Sequence, residues 1–152
     1  MWEAIWRRAT VDGAAVRTAE ALTSRWRLLV LTADWCGDAV NVLPVIARLA
    51  AECPTRLELR CHDRDQHLEL MDDHLTDGTR AIPKVLMIDA EWRVRGSWGP
   101  RPAELQAWIV REGRALVREE RYKHVRAWYA RDKGASAVRE VLAALAVTVA
   151  TR

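Results

Sequence analysis

The chain contains no phenylalanine, and only three cysteines, five prolines and seven glycines among its 152 residues. Without phenylalanine, aromatic packing falls to eight tryptophans and two tyrosines, which we read mainly as core and surface packing residues. Three cysteines, an odd number, do not build the disulfide framework of a small secreted protein. No apolar run approaches the roughly 18 residues that a membrane-spanning helix needs. The N-terminal MWEAIWRRATVDG lacks the apolar stretch and small-residue cleavage site of a signal peptide. Together these absences predict a reduced, cytoplasmic protein with no membrane partner. Charge of one sign is also lacking: 24 Lys and Arg stand against 21 Asp and Glu, interspersed, for a net +3. With no recognition motif beside it, that balance is too weak to predict nucleic-acid binding. His62, His67, His74 and His124 fall at no metal-ligand spacing, so neither a zinc site nor another bound cofactor is expected.

Half the residues are hydrophobic and 30% charged, enough for a single domain over residues 1–152 with a sizeable core. The chain is organised around residues 28–44, LLVLTADWCGDAVNVLP. Four consecutive apolar residues between polar ends, within Arg27–Thr32, describe a strand buried on both faces. A polar turn then leads through Trp35, Cys36, Gly37 and Asp38 into a helical pattern with Val40, Leu43, Ile46, Ala47 and Ala50 inward. Cys36 is thereby placed at a helix N-terminus, where unpaired N–H groups and the helix dipole favour a thiolate. Asp34 and Asp38 oppose this, because nearby negative charge raises a thiol pKa.

Around that centre, residues 1–9 predict a short helix carrying Trp2, Ile5 and Trp6 on one face. Asp12 is a candidate N-cap for a helix to about Ser24. Pro44 lies inside the central helix, which it should kink. Arg56–His62 alternates, with Leu57, Leu59 and Cys61 on one side, as in a half-covered edge strand. A helix around Leu68–Leu75 is expected to end at Gly78 as its C-cap. Val85–Ile88 reads as a second buried strand, turning at Asp89-Ala90-Glu91 into Trp92–Trp98. From Pro102 the chain is helical. Its apolar stripe runs through Leu105, Trp108, Ile109, Leu116, Val117, Val125 and Trp128, with a break near Gly113 and a restart after Gly134. Val138, Val141, Leu142, Leu145 and Val149 form one face of the last helix. The first two strands should be parallel with a right-handed crossover, and the last two an antiparallel hairpin.

Trp35-Cys36-Gly37 ahead of a proline-bearing helix, with Ile82-Pro83 opening a later strand, resembles the thioredoxin superfamily. The likeness covers roughly Arg27–Arg111. It implies an α/β thioredoxin-like fold, with a central mixed sheet of four strands (five at most) flanked by helices. A helical C-terminal extension would begin at about residue 113. On this resemblance Trp35-Cys36-Gly37 matches the start of the WCGPC active site, and Pro44 matches the kinking proline. Ile82-Pro83 matches the cis-proline that faces the cysteine and binds substrate backbone, and Gly99 the glycine after the last strand. The longer pattern TADWCGDA…WGPRP is similar to a bacterial subgroup whose members often lack the second cysteine. Ala39 replaces the resolving cysteine, Asp38 stands where proline is frequent, and Val30 occupies the place of the family's buried acid.

Cys36 is accordingly the candidate catalytic residue, with Trp35, Gly37, Asp38, Ile82 and Pro83 as candidate substrate-binding residues. Asp38 has a plain capping role as its alternative, and Trp35 a packing role. Cys53, about 17 residues on along the same helix, would lie roughly 25 Å away, whereas a disulfide needs Cα atoms within about 7 Å. Cys61 is expected in the core, or as a redox partner after rearrangement. The basic residues of the C-terminal helices read as a solvated face, with docking of an acidic partner anchored by Trp128-Tyr129 as the alternative. The expected function is monothiol thiol–disulfide exchange, reducing mixed disulfides of cytosolic proteins with a low-molecular-weight thiol as co-substrate. The alternative is a binding or redox-sensing module that kept the fold without turnover.

Overall fold

The computed structural model describes residues 2–150, and the side chains of residues 2–147. A four-stranded sheet in the order β2-β1-β3-β4 forms its centre. Strand β1 (Trp26–Thr32) has the apolar run foreseen for it, and Trp26, Leu28, Val30 and Leu31 are fully buried. It pairs in parallel with β2 (Leu57–Asp63), from Trp26 opposite Leu57 to Thr32 opposite Asp63. On its other side it pairs antiparallel with β3 (Lys84–Ile88), which pairs antiparallel with β4 (Val94–Trp98). The sheet is therefore mixed, as parallel β1 and β2 require a crossover and β3 and β4 only a turn.

That crossover is α3 (Gly37–Glu52), a 16-residue helix that continues through Pro44. Nine of its residues are buried, more than one amphipathic face supplies, because α3 is covered by helices as well as by the sheet. α1 (Trp2–Arg8), α2 (Gly13–Glu20) and α7 (Ala135–Ala150) all pack on it, and α7 also reaches β4. Asp12 caps α2, accepting from Ala14 N at 3.0 Å, but that helix ends at Glu20 rather than Ser24. Glu140 ties α7 to the sheet. Its carboxylate accepts from Trp98 Nε1 at 2.8 Å and from Ala103 N at 3.0 Å, at the start of α5 (Ala103–Arg111). Val149 of the expected apolar face lies outside the described side chains.

Several local expectations need correction. α4 spans only Leu68–Asp72, so Gly78 does not cap it. Asp77 and Gly78 instead sit at φ 49° and 71° between Thr76 and Thr79, whose backbones bond to each other at 3.0 and 2.9 Å. Two central residues at positive φ make a tight hairpin turn, and the Asp-Gly pair is its sequence mark. The β3–β4 turn is longer than expected. Asp89 accepts from the backbones of Glu91 and Arg93, and Trp92, at φ 62°, stays in the turn so that β4 starts at Val94.

The C-terminal stripe is not continuous. A short 3₁₀ turn at Gly113–Ala115 interrupts it, and Leu116 and Val117 are exposed in the connection to α6 (Arg118–Asp132). α6 is polar nearly all round, burying only Trp128 and Tyr129. Those two rings are core residues and not an exposed docking anchor. Trp128 Nε1 donates to Glu104 at 3.2 Å, and His124 stacks on Trp108 with centroids 3.6 Å apart.

Cys61 also departs from expectation. It lies on the predicted side of β2 but is exposed, because the cover over this edge strand thins from buried Leu57 towards Asp63. Its thiol borders an apolar groove of about 430 Å³ with Trp2, Trp6 and Pro44. Cys53 is buried.

Candidate functional site

Cys36 is the N-cap of α3, with extended backbone at φ −75° and ψ 114°. Its Sγ accepts from Ala39 N at 3.5 Å and donates to the carbonyl of Ile82 at 3.4 Å. The strand-to-helix turn thus points the thiol across the end of the sheet at the segment entering β3. The Ile82–Pro83 peptide bond there is cis, as is Gly99–Pro100. The two segments fit closely: a Cβ built on Gly99, whose φ is +116°, would come within 2.1 Å of the Pro83 carbonyl oxygen. Only glycine tolerates both that approach and that backbone.

Burial pushes the Cys36 thiol above its ordinary pKa. The N–H groups of Ala39 and Asp38 pull it down, the Asp38 carboxylate raises it, and the Arg101 guanidinium lowers it. The helix terminus acts in the expected direction, but the loss of solvent outweighs it. The residue is 6% exposed, so the resting thiol is protonated and shielded.

Asp38 does not cap α3. Its Oδ1 accepts from the Tyr129 hydroxyl at 2.8 Å, and its Oδ2 pairs with Arg101 at 2.7 Å. Burial, and then the adjacent Asp38 carboxylate, raise the Tyr129 pKa, so the phenol remains a donor. Arg101 also donates to Gln106 Oε1 at 3.0 Å, while its Nε is buried without a partner. Tyr129 and Arg101 were not foreseen as site residues. Arg101 lies just past Gly99-Pro100, in the WGPRP stretch, and proximity to that motif was its one available mark.

Trp35 is 69% exposed beside the thiol. Arg64 stands 5.3 Å from the centroid of its ring and donates to the Arg80 carbonyl at 3.1 Å, linking the tryptophan to the segment before Ile82. Gly37 is exposed with open space above it. Ile82 and Pro83 are buried. The candidate residues therefore form one cluster with two characters: a buried thiol against Ile82-Pro83, and an open rim of Trp35 and Gly37. Away from it, exposed His62 and His67 meet at 3.1 Å between ring nitrogens. Among the described residues no group of three or more His, Cys, Asp or Glu side chains is placed to hold a metal ion. No helix of the described residues is long and apolar enough to cross a membrane.

A parallel β1–α3–β2 unit joined to an antiparallel β3–β4 pair, with a cysteine at the helix start facing a cis-proline, defines a protein of thioredoxin type. A family model described as thioredoxin matches residues 1–123, and the chain belongs to that family. Among solved structures, a protein of unknown function from Pseudomonas aeruginosa superposes with a TM-score of 0.71 at 22% identity. That match covers 95% of this chain and 81% of the other. An HIV epitope scaffold superposes equally, at 20% identity with the same coverage. These neighbours share the fold, including much of the C-terminal helical part. No curated protein is significantly similar to the chain.

Proposed function

We propose that this protein carries out thiol–disulfide exchange through Cys36 alone, with a low-molecular-weight thiol as co-substrate. The observation that carries this reading is the placement of Sγ between the α3 N-terminus and the Ile82 carbonyl, beside Pro83. The Cys36 thiol loses its proton and attacks the small-thiol sulfur of a mixed disulfide on a cytosolic protein. The protein's thiolate leaves and takes up a proton, and Cys36 holds the small thiol as a disulfide. A second small-thiol molecule then attacks that disulfide, releasing a symmetric small disulfide and restoring the Cys36 thiol. No resolving cysteine is needed, consistent with Ala39 in that position. Once Cys36 ionises, the Ala39 and Asp38 N–H groups support the thiolate. Ile82 and Pro83 orient the substrate backbone, Trp35 walls the open side, and Gly37 and Asp38 complete the rim.

A second reading, a binding module without turnover, draws on the shielding and raised pKa of the same thiol. The pH dependence of Cys36 alkylation separates the two. It is measured in a Cys61→Ser background, because Cys61 is exposed and would compete, with Cys36→Ser as the blank. Alkylation that rises above pH 9 to completion, together with turnover of a protein–glutathione mixed disulfide, supports exchange. A thiol that stays inert until the protein unfolds leaves the binding module.

A further inference from the structure

Beside the thiol, the C-terminal helices close a groove of about 680 Å³ against the first turn of α3. Its size falls within the ~300–1,000 Å³ of small-molecule sites. Four arginines line it: Arg101, Arg114, Arg121 and Arg126. One acidic residue, Asp38, faces them, and it is occupied by Arg101 and Tyr129. Arg114, Arg121 and Arg126 make no ion pair or side-chain hydrogen bond among the described residues. Some arginines elsewhere on the surface sit against carboxylates, as Arg7 on Glu3, Arg25 on Glu58 and Arg80 on Asp72, and others, such as Arg17 and Arg131, stand singly. The groove differs in gathering three without an ion pair along one concavity. Three arginines without an ion pair lining one concavity leave a local excess of positive charge. Forked N–H donors of this kind match the oxygens of phosphate and carboxylate groups.

We propose that this groove binds a small molecule carrying two or more negative charges on phosphate or carboxylate groups. Arg114, Arg121 and Arg126 receive the anionic end, and the apolar floor of Ile109 and Val125 receives the rest of the ligand. Gly37 and Asp38, the two residues that follow Cys36, form one wall, so a ligand held here lies one to two residues along α3 from the cysteine. On the exchange reading above, the anionic end belongs to the co-substrate thiol. The assignment of the groove to an anion stands without that reading.

The test is calorimetric titration of the full chain with inorganic pyrophosphate and, separately, with citrate, at fixed ionic strength. The expected result is saturable one-to-one binding of at least one probe, the stronger one telling phosphate from carboxylate. Affinity should fall about tenfold or more in R121A/R126A, where two charge-assisted contacts are lost. It should be retained in R17A/R131A, which removes the same charge from exposed sites outside the groove. If R121A/R126A does not fold, exposed Arg114→Ala carries the same comparison. Absence of saturation by both probes at about 10 mM, or equal weakening in the two double variants, overturns the proposal. The titration is repeated on Cys36→Ser: binding there, with no exchange activity in the wild type, removes the exchange reading and leaves the anion site.

Discussion

The Tyr129 hydroxyl donates to Asp38 Oδ1 at 2.8 Å, joining residues 91 positions apart. This bond ties the polar helix α6 to the first turn of α3, next to the thiol. Tyr129 is 4% exposed, so its hydroxyl cannot exchange the bond freely for water. Tyr129→Phe keeps the ring and removes the donor. It should cost about 1–2 kcal/mol of stability, towards the lower end for a bond to a charged group because Arg101 continues to hold Asp38. The check is urea denaturation of variant and wild type at neutral pH.

The reactivity of Cys36 should follow the pair beside it. Asp38 raises the thiol pKa and Arg101 lowers it. Asp38→Asn removes the opposing charge and should speed alkylation at neutral pH several-fold, up to about tenfold for one unit of pKa. Arg101→Ala should slow it. Alkylation rates across pH in the Cys61→Ser background would move in opposite directions for the two variants. A common direction would show that the charges do not set the thiol's ionisation.

Gly99→Ala should be severe. The new Cβ meets the Pro83 carbonyl oxygen, and the φ of +116° is one that an alanine rarely adopts. Strain and displacement together should cost about 3 kcal/mol or more. Any folded fraction should show a more accessible Cys36, because moving Pro83 draws the Ile82 carbonyl away from Sγ. Denaturation and alkylation measured on the same sample test both parts.

The raised thiol pKa also predicts a loss of stability at high pH. The folded value lies above the ordinary 9.0, so the thiol's contribution is fully present below pH 9. Above that the unfolded chain releases its proton first, and the contribution disappears as pH rises through the folded value. The stability difference between wild type and Cys36→Ser should therefore shrink from pH 9 upward. Cys53 and Cys61 are shifted the same way and should leave part of the slope in the variant. Denaturant midpoints from neutral pH to above 9 test this, and a difference independent of pH would refute it.

The sequence by itself determined whatever depends on neighbours along the chain. The apolar run in β1, the alternation in β2, the Asp12 cap and the strand-to-helix turn at Cys36 are local patterns, and each forms where it is written. With Ile82-Pro83 and Gly99 they carried the thioredoxin resemblance that the family match establishes. Only the tertiary structure decided how deep each residue lies and what charge stands beside it. Alternation in β2 put Cys61 on the covered side, but the length of the cover, and so its exposure, depended on helices elsewhere. The sequence sets Trp128 on an apolar stripe and leaves a Trp128-Tyr129 surface anchor as the alternative, and that choice is made only when α6 is folded back over Glu104 and Asp38. The helix N-terminus favours a Cys36 thiolate, yet burial by distant segments reverses the balance, because desolvation acts through everything packed around the sulfur. For the same reason the arginines of α6 read as a solvated face in the sequence. Folding brings two of them, Arg121 and Arg126, to a groove against the first turn of α3.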